Sequence, residues 1–219
     1  DMAVHDLIKQ YASDHQRIVF DGNGYTISGL YAPYKGNYCG LFARCNGTIK
    51  NLGIVDSYFG GKHNVASFAG YGYSNSVIEN CFSDSSVVSD YYCGGIAGRT
   101  YGKISNCYYI GKITANSTYS NAIVSDYYND GTVENCYYSS ECSLTSSRAG
   151  AKSREQFSSG EVCYLLNKKV TDGSQVWYQK LGTDSYPKLN GADDETVYCC
   201  YDRSQNKKFY SNTYIACTE

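Results

Sequence analysis

Gly102-Lys-Ile-Ser-Asn-Cys107 is one of four copies of a six-residue motif in this chain. The other three are Gly47-Thr-Ile-Lys-Asn-Leu52, Ser76-Val-Ile-Glu-Asn-Cys81 and Gly131-Thr-Val-Glu-Asn-Cys136. Their asparagines are 29, 26 and 29 residues apart, and a weaker copy, Tyr25-Thr-Ile-Ser-Gly-Leu30, precedes the first by 22. Recurrence at an almost constant period is typical of solenoids, in which each repeat buries its apolar face against the next.

Two further apolar strips recur with the same period. The first has its anchors at Phe42, Phe68, Ile96 and Ile123, and the second falls at Tyr58, Val87, Ile113 and Cys142. Three short strips per period, each bounded by Gly, Asn or Ser, leave room for three strands and three turns but no helix. The sequence therefore predicts an all-β fold, a right-handed parallel β-helix of about five coils over residues 20–150. Equivalent residues of successive coils would stack about 4.8 Å apart.

Inward-facing and outward-facing side chains alternate along the motif up to Asn, and the alternation starts again at the following Leu or Cys. This change predicts a bend between the two residues. Asn suits a bend because it tolerates left-handed backbone geometry. We therefore expect a structural ladder of stacked asparagines at Asn51, Asn80, Asn106 and Asn135. The cysteines after them would point inward as buried core thiols, namely Cys81, Cys107 and Cys136.

An outward aromatic column is expected beside the thiols, because side chains alternate along a strand. Its members are Phe82, Tyr108 and Tyr137, with Gly53 at the same position of the first copy. Flat aromatic faces suit sugars, so these three residues are candidate ligand-binding residues. The alternative is a cross-strand ladder that only stabilises the sheet, by roughly 0.2 to 1 kcal/mol per pair.

Composition narrows the class of protein. The 219 residues carry a net charge of −2, and only 18% are charged, which argues against a nucleic-acid binder or a polybasic membrane-surface protein. The 25 Tyr and 22 Gly against 2 Pro favour strands and tight turns over a helical bundle. No apolar run approaches the ~20 residues of a membrane helix, so we predict no direct membrane insertion. The chain does not begin with Met and reads as a piece of a larger protein with further domains.

The repeats resemble a known family. Gly94-Gly-Ile-Ala-Gly98 followed by Gly102-Lys-Ile-Ser-Asn-Cys-Tyr108 is similar to the GLUG-motif repeats of bacterial cell-surface proteins. The lead-in Phe20-Asp-Gly-Asn-Gly-Tyr-Thr-Ile-Ser-Gly-Leu-Tyr31 resembles the opening coil of their pectate-lyase-like β-helices. The resemblance covers roughly residues 20–191. It implies an exported, multidomain surface protein associated with adhesion, and it implies no enzyme activity.

The sequence segments on either side of the repeats lack the repeat pattern. Residues 1–19 form a lead-in or N-terminal cap. Ser153 and Gln156 form a capping-box pattern that opens a short helix within a capping segment, residues 151–191. We expect Trp177 to pack in this segment rather than serve as a sugar platform. Residues 192–219 read as a β-hairpin that leads to the next module.

The eleven cysteines and three histidines give little sign of metal or redox chemistry. A disulfide between Cys81 and Cys107, or between Cys107 and Cys136, is geometrically allowed, although buried thiols are the favoured interpretation. Cys199 or Cys200 with Cys217 is the best disulfide candidate. The histidines lack ligand spacing and no Cys-x-x-Cys pair is present, so we predict no metal and no cofactor.

Catalysis is the weaker functional hypothesis. Sugar hydrolysis needs two converging carboxylates, whereas the acidic residues of the repeats are scattered, and Arg99 with Asp126 is better explained as an exposed ion pair. We therefore predict a non-catalytic structural or interaction module, an adhesin or stalk at the cell surface or outside the cell, which binds carbohydrate or a host surface protein. The alternative is a polysaccharide lyase or glycoside hydrolase domain, for which Asp84 or Asp126 would be required.

Overall fold

The computed structural model describes residues 17–33, 36–125, 131–170 and 174–214. The predicted all-β parallel solenoid is confirmed, with about four turns where the repeats predict about five, and two short helices and an antiparallel hairpin follow it in the chain. It divides into two compact units, Asp1–Ala151 and Lys152–Glu219. Within the described ranges, no helix has the length and apolar character that crossing a bilayer requires.

The first unit consists of three stacks of short parallel strands. The longest stack contains β1 (Ile18–Asp21), β2 (Thr26–Ser28), β6 (Gly47–Val55), β10 (Val77–Ser83), β13 (Lys103–Ser105), β14 (Tyr108–Tyr109), β16 (Thr132–Glu134), β17 (Tyr137–Ser139) and β18 (Gly150–Lys152). The second contains β3 (Tyr31–Pro33), β7 (Tyr58–Gly61), β11 (Ser86–Ser89) and β15 (Ile113–Ala115). The third contains β5 (Phe42–Cys45), β9 (Ala69–Gly72) and β12 (Ala97–Thr100). A short parallel pair, β4 (Asn37–Cys39) with β8 (His63–Val65), completes the first two coils.

The motif copies stack in register, as the repeat predicts. Ile78 pairs with Ile49 on one side and with Ile104 on the other, and Ile104 pairs with Val133. The core runs along the solenoid axis as columns of fully buried apolar side chains. Parallel strands hydrogen-bond the backbone of one rung to that of the next, so this core and these ladders stabilise each other.

The weak first copy of the motif has a different register from the one expected. Ile27 lies against Ile54, not against Ile49, and Phe20 takes the place opposite Ile49. The true offset to the next coil is therefore 29 residues for β1 and 27 for β2, not 22. The reason is that the first coil is split by a bend at Asn23 and Gly24, both in the left-handed region with φ of 48° and 78°, so its two halves match the two halves of β6.

The second unit contains the predicted capping box. Helix α1 (Arg154–Ser158) begins after Ser153, whose side chain accepts a hydrogen bond from the Gln156 backbone N–H, while the Ser153 backbone N–H donates one to Oε1 of Gln156. Gly160, with φ of 90°, separates α1 from α2 (Glu161–Asn167). A 3₁₀ turn (Asp193–Glu195) leads to the predicted hairpin, β19 (Tyr198–Asp202) with β20 (Lys207–Ser211).

Candidate functional site

An additional residue in the bend after β6 decides that Tyr58, and not Phe59, faces outward. Phe59 lies seven positions after Leu52. In the next two coils the corresponding distance is six positions, from Cys81 to Val87 and from Cys107 to Ile113. Phe59, with no exposed surface, therefore fills the core column that contains Val87. The expectation that Tyr58 occupies this column is wrong. Because neighbouring side chains alternate, Tyr58 lies on the outer face.

Tyr58 forms an aromatic pair with Tyr31 of the preceding coil. The two residues are in direct register, and their ring centroids are 5.3 Å apart at an interplanar angle of 31°. Gly60 lies beneath the Tyr58 ring, and a Cβ atom at Gly60 would be 2.9 Å from the Tyr58 hydroxyl. Tyr31 is 63% exposed, so the pair presents aromatic surface to solvent.

The pair lines an open cleft of about 520 Å³. The cleft is lined by Gly29, Leu30, Tyr31, Asp56, Ser57, Tyr58, Asp84 and Ser86. These residues come from the bends and strand starts of three successive coils. A surface depression of this size is in the range that accommodates a small organic ligand.

Two carboxylates lie in the cleft. The backbone N–H of Asp56 donates a hydrogen bond to Oδ1 of Asp84 over 2.7 Å, and Asp56 adopts the left-handed conformation with φ of 49°. Burial raises the pKa of Asp84, and the negative charge of Asp56 acts in the same direction, while the hydrogen bond from Asp56 opposes both. Carboxylate oxygens with free lone pairs accept hydrogen bonds from hydroxyl groups. The cleft therefore combines aromatic surface with hydroxyl-binding groups.

The predicted aromatic column is present, but it is not an exposed binding surface. Phe82 is in register with Gly53 and Tyr108, and Tyr108 with Tyr137. The Phe82 and Tyr108 rings stack at 5.2 Å and 14°, and Tyr108 is only 1% exposed. The expectation that Tyr108 is available to a ligand is therefore wrong, because rings stacked one rung apart cover each other's faces.

Glycines close both ends of this column. A Cβ atom at Gly53 would be 2.5 Å from Cζ of Phe82, and one at Gly150 would be 3.0 Å from Cδ1 of Tyr137. Phe82 and Tyr137 are consequently half-buried. The arrangement favours the alternative interpretation, a cross-strand ladder that stabilises the sheet.

The asparagines lie in one column, all with φ between 49° and 53°. Asn80 donates its side-chain amide to Oδ1 of Asn51, and Asn51 donates to Oδ1 of Asp21 over 3.0 Å. Asn135 donates to Oδ1 of Asn106 over 2.7 Å. In the described part of the chain, Oδ1 of Asn80 is buried and accepts no hydrogen bond. The asparagine ladder is therefore interrupted between Asn80 and Asn106, which are 26 residues apart.

The three thiols of the repeats lie in the core. Cys81 and Cys107 have no exposed surface and Cys136 is 3% exposed, and all three are free. Burial raises the pKa of Cys107 and of Cys136 well above the ordinary thiol value. A buried thiol whose thiolate is disfavoured is a poor nucleophile and a poor metal ligand.

Other residues singled out from the sequence divide between the described and the undescribed parts. Asp84 lies in the cleft, whereas Asp126 and Cys217 lie outside the described residues, so the Arg99–Asp126 ion pair and the Cys217 disulfide stay predictions. Trp177 is completely buried and offers no ring face to a ligand. Among the described residues, no group of three or more His, Cys, Asp or Glu side chains is placed to hold a metal ion.

The cleft was missed by sequence reasoning because Tyr58 was assigned to the core. The adjacent aromatic residues Tyr58 and Phe59 are the signal that points to it, since only one of two neighbours on a strand can face inward.

The chain is similar to one solved structure, described as a "putative immunoglobulin A1 protease" from Bacteroides ovatus, with 20% identity, a TM-score of 0.48 and coverage of 80% of this chain and 77% of that one. No conclusion about activity follows from a likeness of this size. No protein-family model and no curated protein matches the chain.

Proposed function

We propose that this chain is a non-catalytic carbohydrate-binding module of an exported bacterial surface protein, with the role of an adhesin or stalk. The observation that supports the binding role is the pairing of the Tyr31 and Tyr58 rings beside the carboxylates of Asp56 and Asp84 in an open cleft. The resemblance of the repeats to GLUG-motif proteins supports export and surface location.

The chemistry of the cleft suits a neutral sugar. An aromatic ring packs against the C–H face of a pyranose, and Tyr31 contributes a large exposed ring at small entropic cost because it has only two side-chain torsions. Carboxylates accept the hydroxyl hydrogen bonds that orient the sugar. Among the described residues, those that line the cleft include two acids and no basic residue, so a neutral ligand avoids the repulsion that an anionic one would meet.

A glycan array followed by titration calorimetry on the best neutral ligand tests the proposal. Tyr31→Ala and Tyr58→Ala are each expected to weaken binding roughly 3- to 10-fold, the worth of one aromatic contact. Tyr25→Ala is the matched control, since Tyr25 is 67% exposed and does not line the cleft. Unchanged affinity in both cleft variants, or an equal loss in the control, would contradict the proposal.

One observation favours a second function, glycoside hydrolysis. Burial raises the pKa of Asp84, the backbone N–H of a second acid, Asp56, donates a hydrogen bond to it, and hydrolysis of a glycosidic bond uses a pair of carboxyl groups. A reducing-sugar assay on the glycans that bind separates the two functions. Binding without product supports the module, whereas turnover that is lost in Asp84→Asn supports the enzyme.

A further inference from the structure

Two tyrosine rings lie one rung apart at the edge of the second strand stack. Tyr31 on β3 and Tyr58 on β7 are in direct register on neighbouring coils. Among the described strands, β3 is the outermost of its stack, whose order is β15, β11, β7, β3. A strand with a neighbour on one side only is the part of a sheet that opens most easily. A covalent bond between the two rings would therefore hold this edge in place.

The geometry of the two rings suits such a bond. Their centroids are 5.3 Å apart and their planes are inclined by 31°. Rotation about the two side-chain torsions of each tyrosine can bring ring atoms of such a pair together. The Tyr198 and Tyr214 rings of the second unit have a similar centroid distance of 5.4 Å, but their planes are inclined by 71°. One ring there directs its edge hydrogens at the face of the other, which is unfavourable for a bond between ring carbons.

An oxidant can reach this pair from solvent. Tyr31 is 63% exposed, and Tyr58 is half-buried, with its ring over Gly60. A radical formed on Tyr31 consequently has the Tyr58 ring beside it. Tyr108 and Tyr137 are register partners as well, but Tyr108 is only 1% exposed. Burial shields that pair from an oxidant.

The cleft also supplies bases for the phenolic protons. Removal of one electron from a phenol makes its hydroxyl group strongly acidic, so a base close to the ring assists the reaction. Asp56 and Asp84 line the same cleft as the two rings. Burial raises the pKa of Asp84, and a carboxylate with a raised pKa is the stronger base.

We propose that Tyr31 and Tyr58 form a modification site, at which hydrogen peroxide and a haem peroxidase link the two rings as dityrosine. Each phenol loses one electron and one proton, and the two radicals form a carbon–carbon bond between ring positions ortho to the hydroxyl groups. The hydrogen on each of these carbons then moves as a proton to the phenolic oxygen, which restores both aromatic rings. The two electrons and two protons reduce one hydrogen peroxide molecule to two water molecules.

The fold favours a link within one chain. Because the two rings are held one rung apart, their coupling is intramolecular and faster than coupling between separate chains. The reaction needs no glycan and does not rest on the proposed carbohydrate-binding function. A cross-link restricts the unfolded chain and thereby stabilises the folded one, so its expected effect is a stiffer solenoid edge.

Treatment of the dilute full chain with a purified haem peroxidase and hydrogen peroxide tests the proposal. The chains that stay monomeric on a denaturing gel are digested with trypsin and analysed by mass spectrometry. Residues 18–35 and 51–62 are expected as one linked peptide, lighter by two hydrogen atoms than the sum of its parts. Tyr58 is the single tyrosine of residues 51–62, and fragmentation of residues 18–35 locates its partner.

Conservative variants make the test specific. Tyr31→Phe and Tyr58→Phe keep the ring but remove the hydroxyl group that loses its proton, so each should abolish the linked peptide. Tyr25→Phe is the matched control, because Tyr25 is 67% exposed and does not line the cleft, and it should leave the yield of the link unchanged. In urea, the linked chain should unfold at a higher denaturant concentration than the unlinked chain.

Three outcomes would overturn the proposal. They are dityrosine found only between chains, a link that joins Tyr198 to Tyr214 in place of this pair, and a loss of the link in Tyr25→Phe equal to that in Tyr58→Phe. Glycan binding is measured separately on the unoxidised chain, so failure of the cross-link is distinguishable from failure of the carbohydrate cleft.

Discussion

Asn80 donates its side-chain amide to Oδ1 of Asn51, one turn of the solenoid away, over 3.1 Å. Both residues are in the left-handed conformation, with φ of 52° and 53°. The bond therefore links two identical bends, and each asparagine serves both as a local bend residue and as a contact between coils. This double role explains why Asn, rather than Gly, recurs at these positions.

Substitution of Asn80 should separate the two roles. Asn80→Ala removes the bond and places a residue with a Cβ in a left-handed bend, so we expect the free energy of unfolding to fall by about 2 kcal/mol. Asn80→Gly removes only the bond and should cost about 1 kcal/mol. Urea unfolding measures both values. Asn116→Ala, at an exposed asparagine with negative φ, is the control. Equal costs for Ala and Gly at position 80 would contradict this account.

We expect that the Phe82 ring leaves room only for glycine at position 53. A Cβ atom at position 53 would be 2.5 Å from Cζ of Phe82 and 2.6 Å from Cγ2 of Thr26. Gly53→Ala should therefore destabilise the chain by about 1–3 kcal/mol, the usual cost of overpacking. In a Phe82→Leu background the same change should cost less, because the ring no longer occupies that space. A double-mutant cycle by urea unfolding tests the coupling, and additive costs would show that the two residues are independent.

The core thiols should resist modification in the folded chain. Cys81, Cys107 and Cys136 are buried and free, and the raised pKa of Cys107 and Cys136 disfavours the reactive thiolate. We expect Ellman's reagent to leave all three unmodified until the chain is unfolded in urea. Cys199, which is half-buried on the hairpin, is the internal comparison. Labelling of Cys107 at the rate of Cys199, measured by peptide mass spectrometry, would contradict the packing of this column.

Asp84 should make the stability of the chain depend on pH. Its pKa is raised in the folded state, mainly by burial, so proton binding favours folding. This contribution is complete below the ordinary aspartate pKa of about 3.9 and is lost as the pH rises through the raised value. Asp84→Asn should therefore be more stable than the parent at neutral pH, by less than about 1 kcal/mol because the group is partly exposed.

Urea unfolding at neutral and at acidic pH measures this difference. At a pH below the ordinary aspartate pKa, Asp84→Asn and the parent should be equally stable, since Asp84 is then protonated in both the folded and the unfolded chain. Asp90→Asn, at an exposed aspartate, serves as the control. A variant that is less stable than the parent at neutral pH would reverse the sign and refute the assignment.

The parts of the fold that depend on local rules could be predicted. Asn at the bends follows from its tolerance of left-handed geometry, and the capping box at Ser153 and Gln156 from hydrogen bonds within one helical turn. The stacking of Ile49, Ile78 and Ile104 follows from the repeat, because a solenoid places equivalent residues directly over one another. Each of these inferences needs only neighbours in sequence or a constant period.

The parts of the site that depend on the exact register of the strands could not be predicted from the sequence. Aligning the anchors Phe42 and Phe68 sets Arg44 opposite Gly70, whereas in the structure Arg44 is opposite Tyr71. A shift of one residue turns a side chain to the other face of a strand. A shift of the same size in another bend places Phe59 rather than Tyr58 in the core, and without that shift the cleft is not visible.

The sequence by itself determined the architecture of this protein: the period of the coils, the bends at the asparagines and the buried columns of Ile and Cys. Tertiary structure alone decided which aromatic side chains are accessible. Tyr108 points outward, as alternation requires, and is still buried because Phe82 stacks on it, while Tyr31 is 63% exposed, with no ring among the described residues stacked on its outer side. Alternation fixes the direction of a side chain, but only the packing of adjacent coils determines how much of it solvent or a ligand can reach.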